Sequence, residues 1–257
     1  MGLNLSGLSV RIGDRGVIRD VTLAVAPGEA AALIGASGSG KSMTAAAITG
    51  SLPGSAHVTG RLVIHGRDVR LATRLRPEVA AVRQDSLTAL HPLVRIDRQL
   101  VPVLLRSGAA TTREAATGRV ASMLEDVGFA DPLRILRSFP MELSGGQRQR
   151  VCIVQALACR ASFLVADEPT TALDVVSQQL VLSALRTAAQ AGTGILLITH
   201  DVAAAASLCS RAVVIDDGVV VGEGSFVDLA GSTAYPRARA LMQSARPAPG
   251  GESITAA

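Results

Sequence analysis

Residues 30–42 constrain the fold of this chain more than any other segment. Ala30 to Ile34 is an unbroken apolar run, which reads as a buried strand. It runs into Gly35, Ala36, Ser37, Gly38, Ser39, Gly40, Lys41 and Ser42, a match to G-x-x-x-x-G-K-[ST]. Glycines at these positions let successive backbone N–H groups curl around an anion without Cβ clashes. A helix is predicted to begin near Lys41 and to stop before Gly50, with Pro53-Gly54 beyond it. Its N-terminus would add partial positive charge toward a phosphate. Lys41 would reach the β- and γ-phosphates of a nucleotide, and the Ser42 hydroxyl would ligate Mg2+. A flexible Gly/Ser turn before an ordinary helix is the plainer alternative. Composition sharpens the choice: of 25 basic residues, Lys41 is the single lysine. Lysine and arginine do not substitute for each other where a compact point charge is needed.

The rest of the chain has α/β character. Short alternating segments from Leu3 to Val25 read as antiparallel strands joined by the Gly13-Asp14-Arg15-Gly16 turn. Arg61–Ile64 and Val79–Val82 read as further strands. Between about residues 86 and 160 strand-like runs vanish, and helical spacing dominates in Thr112–Val127 and Gly145–Cys159. This predicts a helical subdomain inserted in an α/β core. Strands at Phe163–Ala166 and Gly194–Thr199 then alternate with helices at Val175–Gln190 and Val202–Cys209. Arg211–Asp216 and Val219–Gly222 form a hairpin around Asp217-Gly218. Residues 1–246 read as one domain, and the Pro/Gly/Ser-rich residues 247–257 as a disordered tail.

Two more segments carry chemistry. Phe163-Leu-Val-Ala-Asp167-Glu168 is an apolar strand ending in two carboxylates. Such a strand would bring Asp167 to a Mg2+ beside Ser42 and let Glu168 polarise an attacking water. Alone, two acids at a strand end could equally open a solvated loop. Leu143-Ser144-Gly145-Gly146-Gln147 precedes a helical stretch, with Ser144 as a candidate N-cap and glycine N–H groups free for a second anion. A generic capped helix would explain Ser-Gly-Gly as well.

Taken in order, these segments resemble the ATPase subunit of ABC transporters, over roughly Leu3 to Ala245. The resemblance rests on the P-loop at 35–42, a Q-loop glutamine at Gln84 and the signature LSGGQ at 143–147. It continues through Asp167-Glu168, the D-loop Ala172-Leu173-Asp174 and a switch histidine, His200. It implies a P-loop NTPase fold with an N-terminal antiparallel β-subdomain and a helical subdomain. The implied reaction is Mg2+-dependent ATP hydrolysis. Two subunits would pack head to tail around two ATP molecules, so that Ser144, Gly145 and Gly146 contact the partner's γ-phosphate, with Gln147 also among the nucleotide-binding residues. Asp174 would orient groups across that interface. His200 would hold the attacking water, and Gln84 would reach the metal and link the site to the helical subdomain.

Finer similarity points to the peptide/nickel importer branch: the run Gln84–Pro92, Phe139-Pro-Met-Glu before the signature, and Tyr235–Leu241. This implies two membrane permease subunits, a sister or second ATPase copy and, indirectly, an extracytoplasmic solute-binding protein. Peptide, nickel or a metal chelate remain open as cargo. An exporter cassette, a catalytically silent partner and a soluble ABC ATPase are the rival readings. Two departures from the family pattern stand out. Ile12 occupies the place of the usual adenine-stacking aromatic, which makes GTP use conceivable. No cysteine follows Cys209, so no iron–sulfur cluster is expected.

A net charge of +4 from scattered arginines, with aromatics at only 2%, gives no nucleic-acid signature. Cys152, Cys159 and Cys209 fit neither a disulfide framework nor a metal site, and Cys152 and Cys159 read as core residues. No signal-peptide pattern and no apolar run of about 20 residues occurs. The expected location is therefore the cytoplasmic face of the membrane, held there by partners.

Overall fold

In the computed structural model, residues 2–73 and 76–244 are described, apart from the side chains of Leu87 and Ser244. The tail at 247–257 lies outside them.

The chain opens with β1 (Leu3–Ile12) and β2 (Arg15–Val25), then β3 (Ala30–Ile34) and α1 (Lys41–Thr49). β4 (Ala56–Ile64), β5 (Arg67–Val69) and β6 (Val79–Val82) follow. β4 starts five residues before the predicted Arg61, because Ala56–Thr59 pair with Ser9–Ile12 despite their weak apolar pattern. β5 escapes sequence reading, being three residues long and exposed at a sheet edge.

The stretch from β6 to the next strand holds helices: α2 (Ser86–Ala89), α3 (Ile96–Arg106), α4 (Arg113–Asp126), α5 (Pro132–Arg137) and α6 (Gly145–Ala158). A 3-10 turn at Pro140–Glu142 lies before α6. Then come β7 (Phe163–Asp167), α7 (Val175–Gln190), β8 (Gly194–Thr199), α8 (Val202–Leu208), β9 (Arg211–Asp216) and β10 (Val219–Gly224). α9 (Phe226–Gly231) and α10 (Pro236–Ser244) close the described chain.

Among the described residues these strands form two sheets. A four-stranded antiparallel sheet has order β2-β1-β4-β5, and a six-stranded sheet has order β10-β9-β3-β8-β7-β6. From β9 to β6 the larger sheet is parallel, with β10 antiparallel at one edge. Both faces of its centre are covered, which is why β3, β7 and β8 are buried at every position and read as continuous apolar runs. Alternation still sorts their side chains. Ala31, Leu33, Val165, Leu196 and Ile198 face the small sheet, together with Ala45, Ala47 and Ile48 of α1. Ala32, Ile34, Leu164, Ala166, Ile195 and Leu197 face the layer of larger helices. The small Ala45 and Ala47 and the larger Ile48 of α1 are all buried in this layer between the two sheets.

The C-terminal end of α1 is capped from a distance. Arg76, 6% exposed, donates to the carbonyls of Ala47 and Ile48 and, at 2.8 Å, to that of Leu71. A guanidinium is well placed there, where a helix leaves carbonyls unpaired and carries partial negative charge. Burial lowers its pKa from the ordinary arginine value, yet arginine keeps its proton.

Cys152 is buried, as its core reading requires, and so is Cys209; burial pushes each thiol up to about 12. Cys159 differs from that reading: α6 ends at Ala158, so the next residue turns to the surface.

Replacing Arg76 by methionine keeps its bulk and removes the donors to these carbonyls. Urea unfolding of Arg76→Met should show a loss of about 2–4 kcal/mol.

Candidate active site

The parallel register brings the reactive segments together. Ile34 pairs with Thr199, and Asp167 with Ile198, so β3, β8 and β7 end at one edge of the sheet. The carboxyl edge of an open parallel sheet is where ligands of α/β proteins bind. Residues 35–40 leave β3 there, Glu168 follows β7 and His200 follows β8.

The 35–42 loop wraps its own lysine. Lys41 Nζ donates to the carbonyls of Gly35 and Ala36, each at 2.8 Å. Its pKa is lowered, chiefly by burial, against the opposing pull of Glu168 and Asp167. Gly40 precedes α1 with φ 107°, and a Cβ there would lie 2.4 Å from Ile18 Cδ1. The backbone conformation disfavours a side chain at that position, and the tip of the Ile18 side chain on β2 would have to shift to admit one.

Asp167 ends β7 and is 9% exposed. Burial raises its pKa above the usual carboxylate value, and a hydrogen bond from the Ser42 side chain partly offsets this. Its Oδ1 is buried without a hydrogen-bond partner, as is Ser39 Oγ. Unpaired buried polar atoms call for an explanation, and a cation at Asp167 with a phosphate beside Ser39 would satisfy both. Gln84, exposed after β6, lines with Ser42 and Asp167 a cleft of about 240 Å³. Among the described residues no cluster of three or more His, Cys, Asp or Glu side chains is spaced to hold a metal. A cation bound here would take its remaining ligands from phosphate oxygens and water, the usual arrangement for Mg2+.

Glu168 takes φ 49°, a left-handed conformation uncommon outside glycine. Its N–H donates to the Ile198 carbonyl at 2.8 Å. This turns the carboxylate away from the strand and into a ring of donors. Glu168 Oε1 lies 2.8 Å from His200 Nδ1 and accepts from the His200 N–H at 3.2 Å. Glu168 Oε2 accepts from Thr171 Oγ1 at 2.7 Å and from Thr199 Oγ1 at 3.5 Å. The carboxylate is 10% exposed, whereas the imidazole is 65% exposed and free on its outer side. Sequence reading missed both threonines. Thr171 stands three residues beyond Glu168 and Thr199 directly before His200, and polar neighbours at such spacings give only a weak signal.

The remaining predicted residues sit elsewhere. Ile12 is half-buried at the tip of the β1–β2 hairpin, paired with Arg15 and Ala56. Ser144 caps α6, its hydroxyl accepting from the Gln147 N–H at 3.2 Å while Gln147 Oε1 accepts from the Ser144 N–H at 2.9 Å. Gly145 opens α6, and Gly146 packs against the Ala172 carbonyl. Asp174 caps α7 through the Ser177 N–H and hydroxyl, at 2.9 and 2.8 Å. Those hydrogen bonds hold its pKa below the usual carboxylate value. The signature segment therefore lies on the helical side of the molecule beside residues 172–174, with its hydrogen bonds directed to its own helix.

Comparisons with known proteins give the family and the fold. The ABC transporter family pattern matches residues 18–171, more than half of the chain. The chain is 36% identical over 242 residues to the probable D,D-dipeptide transport ATP-binding protein DdpD of Escherichia coli, covering 91% of this chain and 74% of that one. It is 33% identical over 237 residues to the oligopeptide transport ATP-binding protein OppD of Salmonella typhimurium, covering 90% and 70%. It spans only 36% of the Mycobacterium tuberculosis OppD, at 38% identity over 82% of this chain. The fold superposes on an ATP-binding subunit of an ABC transporter with TM-score 0.78, 27% identity, and coverage of 95% of this chain and 100% of that one. A dimeric ATP-binding cassette in a post-hydrolysis state with ADP and Pi gives 0.75 at 26% identity, covering 87% and 98%. No helix among the described residues is long and apolar enough to cross a membrane. The chain belongs to the ABC transporter family, as one of its ATP-binding ATPase cassettes.

Proposed function

We propose that this cassette hydrolyses ATP to drive a peptide importer, working as one of a pair beneath two membrane permease subunits. The observation that carries the chemistry is the convergence of Lys41, the Ser42–Asp167 pair and the Glu168–His200 pair at one sheet edge. The names of the relatives, for D,D-dipeptides and oligopeptides, favour peptides over nickel or a metal chelate as cargo. The two ATPases are either two copies of this chain or this chain and a sister, and a solute-binding protein outside the membrane delivers the cargo.

Lys41 leaves the Gly35 and Ala36 carbonyls for the β- and γ-phosphates, which the loop N–H groups and the α1 N-terminus also hold. Ser42, Asp167 and Gln84 would hold Mg2+, which supplies charge stabilisation to the transferring phosphoryl group. Glu168 accepts the proton of the attacking water, and His200 keeps that carboxylate and the γ-phosphate in register. Ser144, Gly145, Gly146 and Gln147 of the second subunit close over the γ-phosphate, their helix N-terminus directed at the anion. Asp174 fixes the α7 N-terminus at that interface, and Ile12 packs on the base with aliphatic contact.

Affinity purification of the tagged chain from detergent-solubilised native membranes tests the transport reading. Two multi-span permeases should co-purify, and recovery without any membrane partner would remove import while leaving the ATPase chemistry.

Glu168→Gln should lower kcat by about 100-fold or more while ATP binding persists, accumulating an ATP-bound dimer on size exclusion. Undiminished phosphate release would sink Glu168 as the base. Lys41→Ala should lose nucleotide affinity in a fluorescent-nucleotide titration.

The buried charges generate a pH prediction. Asp167 has its pKa raised in the fold, so its contribution to stability is full below the ordinary aspartate value and is lost as pH rises through the raised one. Lys41 has its pKa lowered, so its contribution is full above the ordinary lysine value and is lost as pH falls through the lowered one. Between those limits both charges cost stability until a Mg2+–nucleotide complex compensates them. Asp167→Asn should therefore match or exceed the native protein in urea at neutral pH without nucleotide. The same variant should lose the stabilisation that Mg2+ plus ATP gives the native chain.

A further inference from the structure

The β9–β10 turn touches the phosphate loop from outside, a contact that the Asp217-Gly218 turn signal does not announce. Gly218 N–H donates to the Ser39 carbonyl at 3.0 Å. The Gly218 carbonyl accepts from Arg19 N–H at 2.8 Å, and the Arg19 guanidinium donates to the Asp217 carbonyl and carboxylate, each at 2.7 Å. One two-residue turn thus ties together β2, which supplies Ile18 against Gly40, and the loop itself. Asp217 and Gly218 have φ of 45° and 75°, the both-positive pattern of a tight hairpin turn. A Cβ on residue 218 would lie 2.4 Å from the Val17 carbonyl, so the approach requires glycine.

We propose that Gly218 is a positioning residue for phosphate binding, acting by aiming the Gly40 N–H. The Ser39–Gly40 peptide is planar and trans, so its C=O and N–H point in opposite directions. Holding the Ser39 carbonyl toward Gly218 turns the Gly40 N–H away from the turn and into the concave side of the loop. This donor stands at the α1 N-terminus, where an anion is best received. Without the Gly218 bond the peptide is free to rotate, and the donor must be ordered by the phosphate at a cost in affinity. The inference rests on reading residues 35–42 as the nucleotide site.

Gly218→Ala tests it first: KM for ATP should rise about threefold or more, with kcat within twofold of native. An unchanged KM in the folded variant would overturn the proposal. Should the added Cβ prevent folding, the N–H alone can be removed. A synthetic 209–257 segment with an ester in place of the Asp217–Gly218 amide can be ligated at the native Cys209. The ester protein should keep the native urea midpoint to within a few tenths of a molar and show the same rise in KM and in the dissociation constant for MgATP. Native affinity in that protein, or a fall in kcat with KM unchanged, would overturn the positioning role. Failure of the unmodified chain to bind ATP would instead remove the nucleotide-site reading on which it stands.

Discussion

The parallel register of β3, β8 and β7 is the constraint on which the rest of this molecule depends. Strands buried on both faces satisfy their backbone groups in the ladder: β3 and β7 both pair with β8, and β9 and β6 take their outer sides. Once Ile34 lies beside Thr199 and Asp167 beside Ile198, the segments that follow emerge side by side. A one-residue slip of β7 would exchange its two faces and carry Asp167 away from Ser42. The site is thus a product of core packing: the alternation that sorts Leu33 from Ile34 buries Asp167 at the end of β7, and the left-handed turn at Glu168 folds the second carboxylate back onto Thr171, Thr199 and His200.

That origin explains how the site can hold polar groups at a disadvantage. Asp167 is desolvated with an oxygen unpaired, Lys41 is desolvated and bonded to carbonyls, and Glu168 adopts an unfavourable backbone angle. Each is small against the apolar burial on both faces of the sheet. The arrangement is prepared for a ligand carrying the opposite features: a dense anion with its own cation.

Much of this could be read from residues. Apolar runs without polar interruption marked β3, β7 and β8, and the glycines with Lys41 marked the loop between β3 and α1. Family resemblance, rather than periodicity, singled out Gln84, His200 and Asp174, because a lone polar residue at a strand end carries no local signal. What stayed hidden were contacts between segments far apart in sequence. Arg76 reaches back 28 residues to the end of α1, and Gly218 meets Ser39 across most of the chain. Arg76 looks like any surface arginine in sequence, and Asp-Gly announces a turn without saying what the turn touches. Thr171 and Thr199 escaped for a milder reason: their hydroxyls matter only because Glu168 turns back toward them.

The solitary lysine has a consequence for how this chain can be observed. Its ε-amine is the one amine on any side chain of the sequence, and it sits inside the loop rather than on the surface. Amine-directed reagents, which decorate most proteins at many positions, would find here only this group and the amino terminus. Occupancy of the loop by a polyphosphate would shield that amine, so mass spectrometric labelling of a single peptide becomes a direct gauge of the loaded fraction, even within a larger membrane assembly.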